Sequence, residues 1–278
     1  MRIRSASPSV TNQEIKLVTH ATKIGWRDKR DYYTNKFNKE FKALTKIKYC
    51  LPVSHCTDAI HLAMIAIGIR PGDEVIVPDV TWVASATPIT YLGGKPVFAD
   101  INEENLCIDH NKIEKLITKK TKAIVGVNLF GNCPNWKSLK KICNKYSLYL
   151  IEDAAGSLGT KYKNKHTGNF GDISVFSFNV TKIAMGGQGG VFCTNNKKFY
   201  DIANLYAGHG INEKKTGKYY WSTVIGYNYR WTNIQAALAY GQIKRLKNFL
   251  KYKKQIYKKY LKLIHEDEKV KFVKPEKD

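Results

Sequence analysis

Residues 122–154 read KAIVGVNLFGNCPNWKSLKKICNKYSLYLIEDA. The stretch opens on one apolar run, KAIVGVNL (122–129), and closes on another, LYLIEDA (148–154). Between them, Asn135–Tyr146 places its apolar residues at helical spacing. Strand, amphipathic helix, strand is the unit from which parallel sheets are built, because parallel strands need a crossover of about this length.

The same grammar extends in both directions. Upstream lie KYCLPVS (48–54), EVIVP (74–78) and KPVFAD (95–100), and downstream lie ISVFSF (173–178) and GGVFCT (189–194). A further helical pattern covers Asp58–Ile69. The expected fold class is therefore α/β, with a mostly parallel sheet of seven strands covered by helices. A short glycine-rich loop joins the last two runs, so one strand is expected to be antiparallel. Residues 1–47 read as mostly helical and polar. Past Thr232 the pattern is one long helix followed by a charged tail ending at Asp278.

Length and composition narrow the class. The 278 residues, 43% hydrophobic, can bury a sizeable core. No apolar run reaches the roughly 20 residues of a membrane span. The opening MRIRSASPSV lacks the apolar stretch of a signal peptide. A soluble, cytoplasmic protein is expected. Cys50, Cys56, Cys107, Cys133, Cys143 and Cys193 form no C-x-x-C pair and no zinc spacing, so buried free thiols are expected and no metal site. Net charge is +23. That leaves two readings open: a basic face for nucleic acid, or a lysine-rich solvated surface, aided by a phosphorylated ligand. The basic concentration from Lys244 to Lys262 also carries Ile243, Leu246, Leu250, Tyr257, Leu261 and Ile264 at helical spacing, which favours the charged side of an amphipathic helix.

Chemistry-bearing residues gather where the strands end. In SHCTDAIHLAM (54–64) a strand turns into a helix, and the free N–H groups of such a start form a natural phosphate seat. Ser54 or Thr57 as a simple helix cap is the competing reading. In PDVTWVASA (78–86), Trp82 offers a flat ring for stacking on a heteroaromatic ligand, or a core side chain. In LIEDAAGSLG (150–159), Glu152 and Asp153 follow an apolar run, and buried carboxylates demand partners. A protonated pyridine nitrogen is one; helix N–H groups are another. In FSFNVTKIAMGGQGGVF (176–192), Lys182 sits between a strand and a glycine loop, where an amine held from water can form a Schiff base. Ser177, at the same strand end, offers a hydroxyl to a phosphate.

Together, in this order, these motifs resemble the DegT/StrS group of pyridoxal-phosphate (PLP)-dependent nucleotide-sugar aminotransferases, within the fold type I class. The resemblance runs from about Gln13 to about Leu246. SHCT stands where the family has a turn similar to Ser-Asn-Gly-Thr. Pro78 to Trp82 match its Pro-x-x-Thr-aromatic run, and Glu152–Ala155 its Glu-Asp-Ala-Ala run. Gly171–Phe178 match the approach to its lysine, which falls on Lys182, and Gly226–Arg230 match Gly-x-Asn-Tyr-Arg.

The resemblance implies a fold type I large domain, an α/β/α sandwich, over residues 1–240, and the start of a short or truncated C-terminal small domain over 241–278. It implies PLP bound covalently by Lys182, which also moves the proton. Asp153 pairs with the ring nitrogen and Trp82 stacks on the ring. Ser177 and the amides of Cys56 and Thr57 hold the phosphate. Asn228 serves the phosphate of the neighbouring subunit, so the active unit is a homodimer. The implied reaction moves an amino group from glutamate or glutamine to a nucleoside-diphosphate keto sugar, a 4-keto-6-deoxyhexose by preference, in amino-sugar and polysaccharide biosynthesis.

The chain departs from the family's pattern at His55 and Cys56, which replace Asn-Gly, at Gln188, which replaces a Glu, and at Gly156, where a His or bulkier residue is usual. It also ends roughly a hundred residues sooner than family members do. Two other classes of function compete: a degenerate member acting as a regulatory or binding protein, and a nucleic-acid binder suggested only by charge. Intact Lys182, Asp153 and Ser177 oppose the first; the lack of a recognition motif opposes the second.

Overall fold

The structure, a computed structural model, describes residues 7–212, 221–264 and 270–273. All seven apolar runs form strands of one sheet: β1 (Tyr49–Val53), β2 (Glu74–Pro78), β3 (Lys95–Ala99), β4 (Thr121–Val127), β5 (Tyr149–Asp153), β8 (Ile173–Ser177) and β9 (Gly190–Thr194). The spatial order is β1-β9-β8-β5-β4-β2-β3. β9 is antiparallel to both of its neighbours, and every other adjacent pair is parallel. The glycine-rich connection after β8 carries no helix to return the chain across the sheet, so β9 runs back antiparallel. A small hairpin, β6 (Lys161–Tyr162) and β7 (Lys165–His166), stands apart.

Alternation along each strand divides the core into layers. Leu51, Val53, Val75, Val77, Val125, Ile151, Val175 and Phe192 face one side. Three helices cover them: α3 (Cys56–Ala66), α4 (Thr87–Tyr91) and α6 (Lys197–Ala207). On the other side, β2, β4 and β5 pack on α5 (Trp136–Tyr146). β1, β8 and β9 pack there on α2 (Tyr32–Thr45) and on the first half of α7 (Asn233–Leu263). The fold is the expected α/β/α sandwich.

Residues 1–47 differ in emphasis from their reading. α1 (Asn12–Ile24) and α2 are helical, but α2 is amphipathic and buries Tyr33, Phe37 and Phe41. Phe37 packs on Trp231 and Phe178, with ring centroids 4.6 and 5.1 Å apart. Such pairs contribute about 0.5–1.5 kcal/mol beyond the area they bury. They give the strand end carrying Phe178 a rigid floor.

α7 begins on a reciprocal cap. Gln235 N donates to Thr232 Oγ1 at 3.2 Å, and Thr232 N donates to Gln235 Oε1 at 2.8 Å. The helix runs unbroken through position 240, and its buried residues end at Leu246. From Lys251 to Leu263 it is exposed, and its lysines point into solvent. Most of the charged tail lies outside the described residues. Among the described residues no helix is long and apolar enough to cross a membrane. The six cysteines are free thiols, five of them buried and Cys56 half-buried. No group of three or more His, Cys, Asp or Glu among the described residues is placed to hold a metal.

Candidate active site

The carboxyl ends of β1, β2, β5 and β8 lie on one edge of the sheet, and the loops leaving them carry the residues singled out by the sequence. Open α/β sheets bind ligands there.

Asp153 ends β5. Register puts it level with Val127 and Val175, and alternation turns its side chain to the face covered by α3. It is 4% exposed. Oδ1 accepts from Ala155 N at 3.0 Å and Oδ2 from Ser85 Oγ at 2.7 Å. Burial pushes its carboxyl pKa up, opposed by the Ala155 amide, the Ser85 hydroxyl and the charge of Lys182. Lys182 is thus within electrostatic reach of Asp153, and both are within reach of the Cys56 thiol.

Glu152, one residue earlier, faces the opposite way. It is fully buried and accepts from Asn128 Nδ2 at 2.8 Å, Gly168 N at 2.6 Å and Phe170 N at 2.8 Å. Asn128 Oδ1 in turn accepts from Trp136 Nε1 at 3.2 Å. Burial raises the Glu152 pKa, and these hydrogen bonds oppose it. Of the two carboxylates, Glu152 ties the 168–170 loop to the core and Asp153 faces the site.

Lys182 lies in a tight loop between β8 and β9. Its N–H donates to Asn179 O at 2.9 Å, and Gly186 N donates to Phe178 O at 2.7 Å. Asn179 Nδ2 donates to Gln188 Oε1 at 2.9 Å, and Asn179 Oδ1 accepts from Thr181 N at 3.1 Å. Gln188, a departure from the family pattern, therefore braces the turn that carries Lys182. Gly187 has φ +81°, which a side chain would strain.

The turn between β1 and α3 is built across strands. Ser177 and Val53 both lie level with Gly190 in β9. A Cβ on Gly190 would sit 2.5 Å from His55 O and 2.6 Å from Cys56 N. Only glycine lets the start of α3 settle beside Ser177. His55 is the N-cap of α3, and its side chain makes no cap hydrogen bond. Its nitrogen instead lies 3.2 Å from Asp58 Oδ2. Ser54 does not cap either: its N and Oγ donate to Tyr229 O at 2.7 and 3.1 Å. The first-turn amides at Cys56 and Thr57 thus keep no side-chain partner, as an anion seat requires.

Trp82 is 76% exposed and caps the short 3-10 turn Val83–Ser85. It is not a core tryptophan. Asn228 is exposed too, but its neighbours are fixed. Tyr227 and Tyr229 stack at 4.9 Å, and His61 Nδ1 lies 3.0 Å from Tyr229 Oη. The structure therefore brings Cys56, Thr57, Asp153, Ser177 and Lys182 to one place and leaves Trp82 and Asn228 exposed near its margins. The sequence reading missed Ser85, whose hydroxyl has no periodic signature, and the division of labour between Glu152 and Asp153.

A buried, hydrogen-bonded carboxylate, a lysine within its reach, a bare helix start and a flat exposed ring fit a flat, protonatable, phosphorylated ring carrying an electrophilic carbon. That is the chemistry of a PLP-dependent transferase. The chain belongs to the DegT/DnrJ/EryC1/StrS aminotransferase family, whose model matches residues 8–278. The match reaches further at both ends than the motifs alone. It is 39% identical to a GDP-perosamine synthase of Escherichia coli O157:H7 over 258 residues, 93% of this chain and 70% of that protein. It is 39% identical to a GDP-perosamine synthase of Vibrio cholerae over 253 residues, 91% of this chain and 68% of that protein. Among solved structures, a putative sugar aminotransferase of Streptococcus pneumoniae in its PMP form superimposes with a TM-score of 0.87 at 25% identity, covering 96% of this chain and 74% of that one. The fold is fold type I, and the protein is a PLP-dependent aminotransferase.

Proposed function

We propose that the chain transfers an amino group from an amino acid, glutamate in the first instance, to a nucleoside-diphosphate keto sugar, with a 4-keto-6-deoxyhexose as the favoured acceptor. The nucleotide-sugar part is supported by relatives named for making GDP-perosamine at 39% identity over most of the chain. The transfer part is supported by one arrangement: the buried Asp153 carboxylate, held by Ala155 N and Ser85 Oγ at the end of β5, lies within electrostatic reach of Lys182.

PLP, when bound, supplies the electron sink that stabilises negative charge on the substrate carbon. The residues divide the rest of the work. The Cys56 and Thr57 amides, the α3 dipole and the Ser177 hydroxyl would hold the phosphate. Trp82 would cover one face of the ring and Asp153 would hold the proton on its nitrogen. Lys182 Nζ would be the point of attachment, and as a free amine it would be the base that takes a proton from one carbon and returns it to another.

The exposed apolar side chains of Val80, Trp82, Val83, Phe130 and Val180 all sit on loops leaving the strands' carboxyl ends. An apolar rim of this kind marks a contact surface. It supports a homodimer in which each pocket is closed by the partner, with Asn228 reaching the partner's phosphate.

The test is a panel of nucleoside-diphosphate keto sugars incubated with PLP-loaded protein and glutamate, read by mass spectrometry. The expected result is an amino sugar from at least one 4-keto-6-deoxyhexose nucleotide. Formation of 2-oxoglutarate with only simple keto acids accepted would overturn the acceptor class.

A further inference from the structure

Asp153 does not stand alone. Ser85 is 1% exposed and donates to Asp153 Oδ2 at 2.7 Å. A second hydroxyl, Thr81 Oγ1, lies 2.9 Å from Ser85 Oγ. A carboxylate can only accept, and a serine has one hydroxyl proton. With that proton given to Asp153, Ser85 can only accept from Thr81. The chain of bonds therefore has one direction, Thr81 to Ser85 to Asp153, and each bond polarises the next.

The two ends of the carboxylate are then held by different elements. Oδ1 is fixed by Ala155 N just beyond β5, and Oδ2 by the turn after β2. The terminal torsion of an aspartate is otherwise broad. With one donor on each oxygen, the plane of the group is set, and lone pairs remain on both oxygens for a further donor. The titratable groups within reach are Lys182 and the Cys56 thiol. The same turn, Thr81–Ser85, carries Trp82, so one five-residue segment governs both the ring's face and the partner of its nitrogen.

We infer that Ser85, backed by Thr81, is a positioning residue that holds Asp153 as an oriented carboxylate and thereby keeps the cofactor's ring nitrogen protonated. This rests on the reading of Asp153 as the partner of that nitrogen. Burial drives the Asp153 carboxyl toward its neutral form, and the Ser85 hydrogen bond is one of the contacts opposing it. Without the hydroxyl, the carboxyl group takes up a proton more readily and is less directed, so it is a poorer counter-ion for a protonated ring nitrogen. Hydrogen bonds to charged groups are worth enough that the proton affinity of the ring nitrogen should fall about tenfold to a hundredfold.

The experiment loads the protein with PLP labelled with nitrogen-15 in the ring and reads the ring-nitrogen chemical shift at neutral pH. Wild type is expected at the pyridinium position. Ser85→Ala should keep the visible absorption of bound PLP but move the shift toward unprotonated pyridine, and Ser85→Thr should restore it. Thr81→Val, at a half-buried site, should move it the same way by less, and serves if Ser85→Ala does not fold. Asp153→Asn is the reference. A wild-type shift in the folded Ser85→Ala protein, or in Thr81→Val if that is the only folded variant, would overturn the inference while Asp153→Asn still moved. An unmoved shift in Asp153→Asn would overturn the role of Asp153 and this inference with it.

Discussion

Gly190 lies so close under the start of α3 that a methyl group on it would fall 2.6 Å from Cys56 N. This contact between β9 and α3 places the proposed phosphate turn beside Ser177. Gly190→Ala must therefore push α3 away from the sheet. Overpacking of this kind costs about 1–3 kcal/mol. Thermal unfolding should show that loss. Titration with PLP should show a weakened affinity greater than in a Ser177→Ala protein, because the whole helix start moves. Wild-type PLP affinity in a stably folded Gly190→Ala protein would mean that the seat does not depend on this approach.

Much of this was legible in the sequence, for physical reasons. Six of the seven strands are buried on both faces and read as continuous apolar runs, the half-exposed edge strand β3 was marked by its short run KPVFAD, and the glycine loop 186–190 announced the one antiparallel strand. Asn135 was visible as the start of a helix, and its side chain does accept from Ser138 N at 3.0 Å. The first-turn chemistry of α3 was less so. Ser54 and Thr57 look like caps, yet the Ser54 hydroxyl turns to the carbonyl of Tyr229, 175 residues away. Only the tertiary fold determines that choice. Likewise, alternation says that Glu152 and Asp153 point to opposite faces, but which face holds the pocket depends on where α3 and α5 pack.

Those opposite directions give a contrast between two adjacent carboxylates. Glu152→Gln would turn an amide N–H toward backbone donors at Gly168 or Phe170, leaving a buried clash of donors. A loss of about 1–3 kcal/mol in stability is expected, with the chemistry of any folded protein little changed. Asp153→Asn should do the reverse. Its stability should stay near wild type and PLP should stay bound, while turnover falls by about a hundredfold or more, since an amide cannot favour a protonated ring nitrogen as a carboxylate does. Chemical denaturation paired with a single-turnover assay separates the two. Near-normal turnover in Asp153→Asn would make Asp153 a structural residue.

The proposed shared site predicts complementation between two inactive proteins. Lys182→Ala lacks the attachment point, and a strongly impaired Asn228 variant lacks the contact to the partner's phosphate. In a mixed dimer one site carries both defects and the other neither. Mixing should restore activity to about a quarter of the wild-type value if subunits exchange freely, since half the dimers are mixed and half their sites are intact. Size measured by light scattering should correspond to a dimer. A monomer, or no recovery after exchange is proven with differently tagged chains, would contradict the shared site.

The most direct measurement concerns Lys182 itself. Protein incubated with PLP should develop a visible absorption band, and borohydride should fix the cofactor irreversibly to the chain. Digestion and mass spectrometry should then find the reduced adduct on the peptide containing Lys182, and the Lys182→Ala protein should yield none at any stoichiometric level. A reduced adduct on a different lysine, with Lys182 unmodified, would contradict the account.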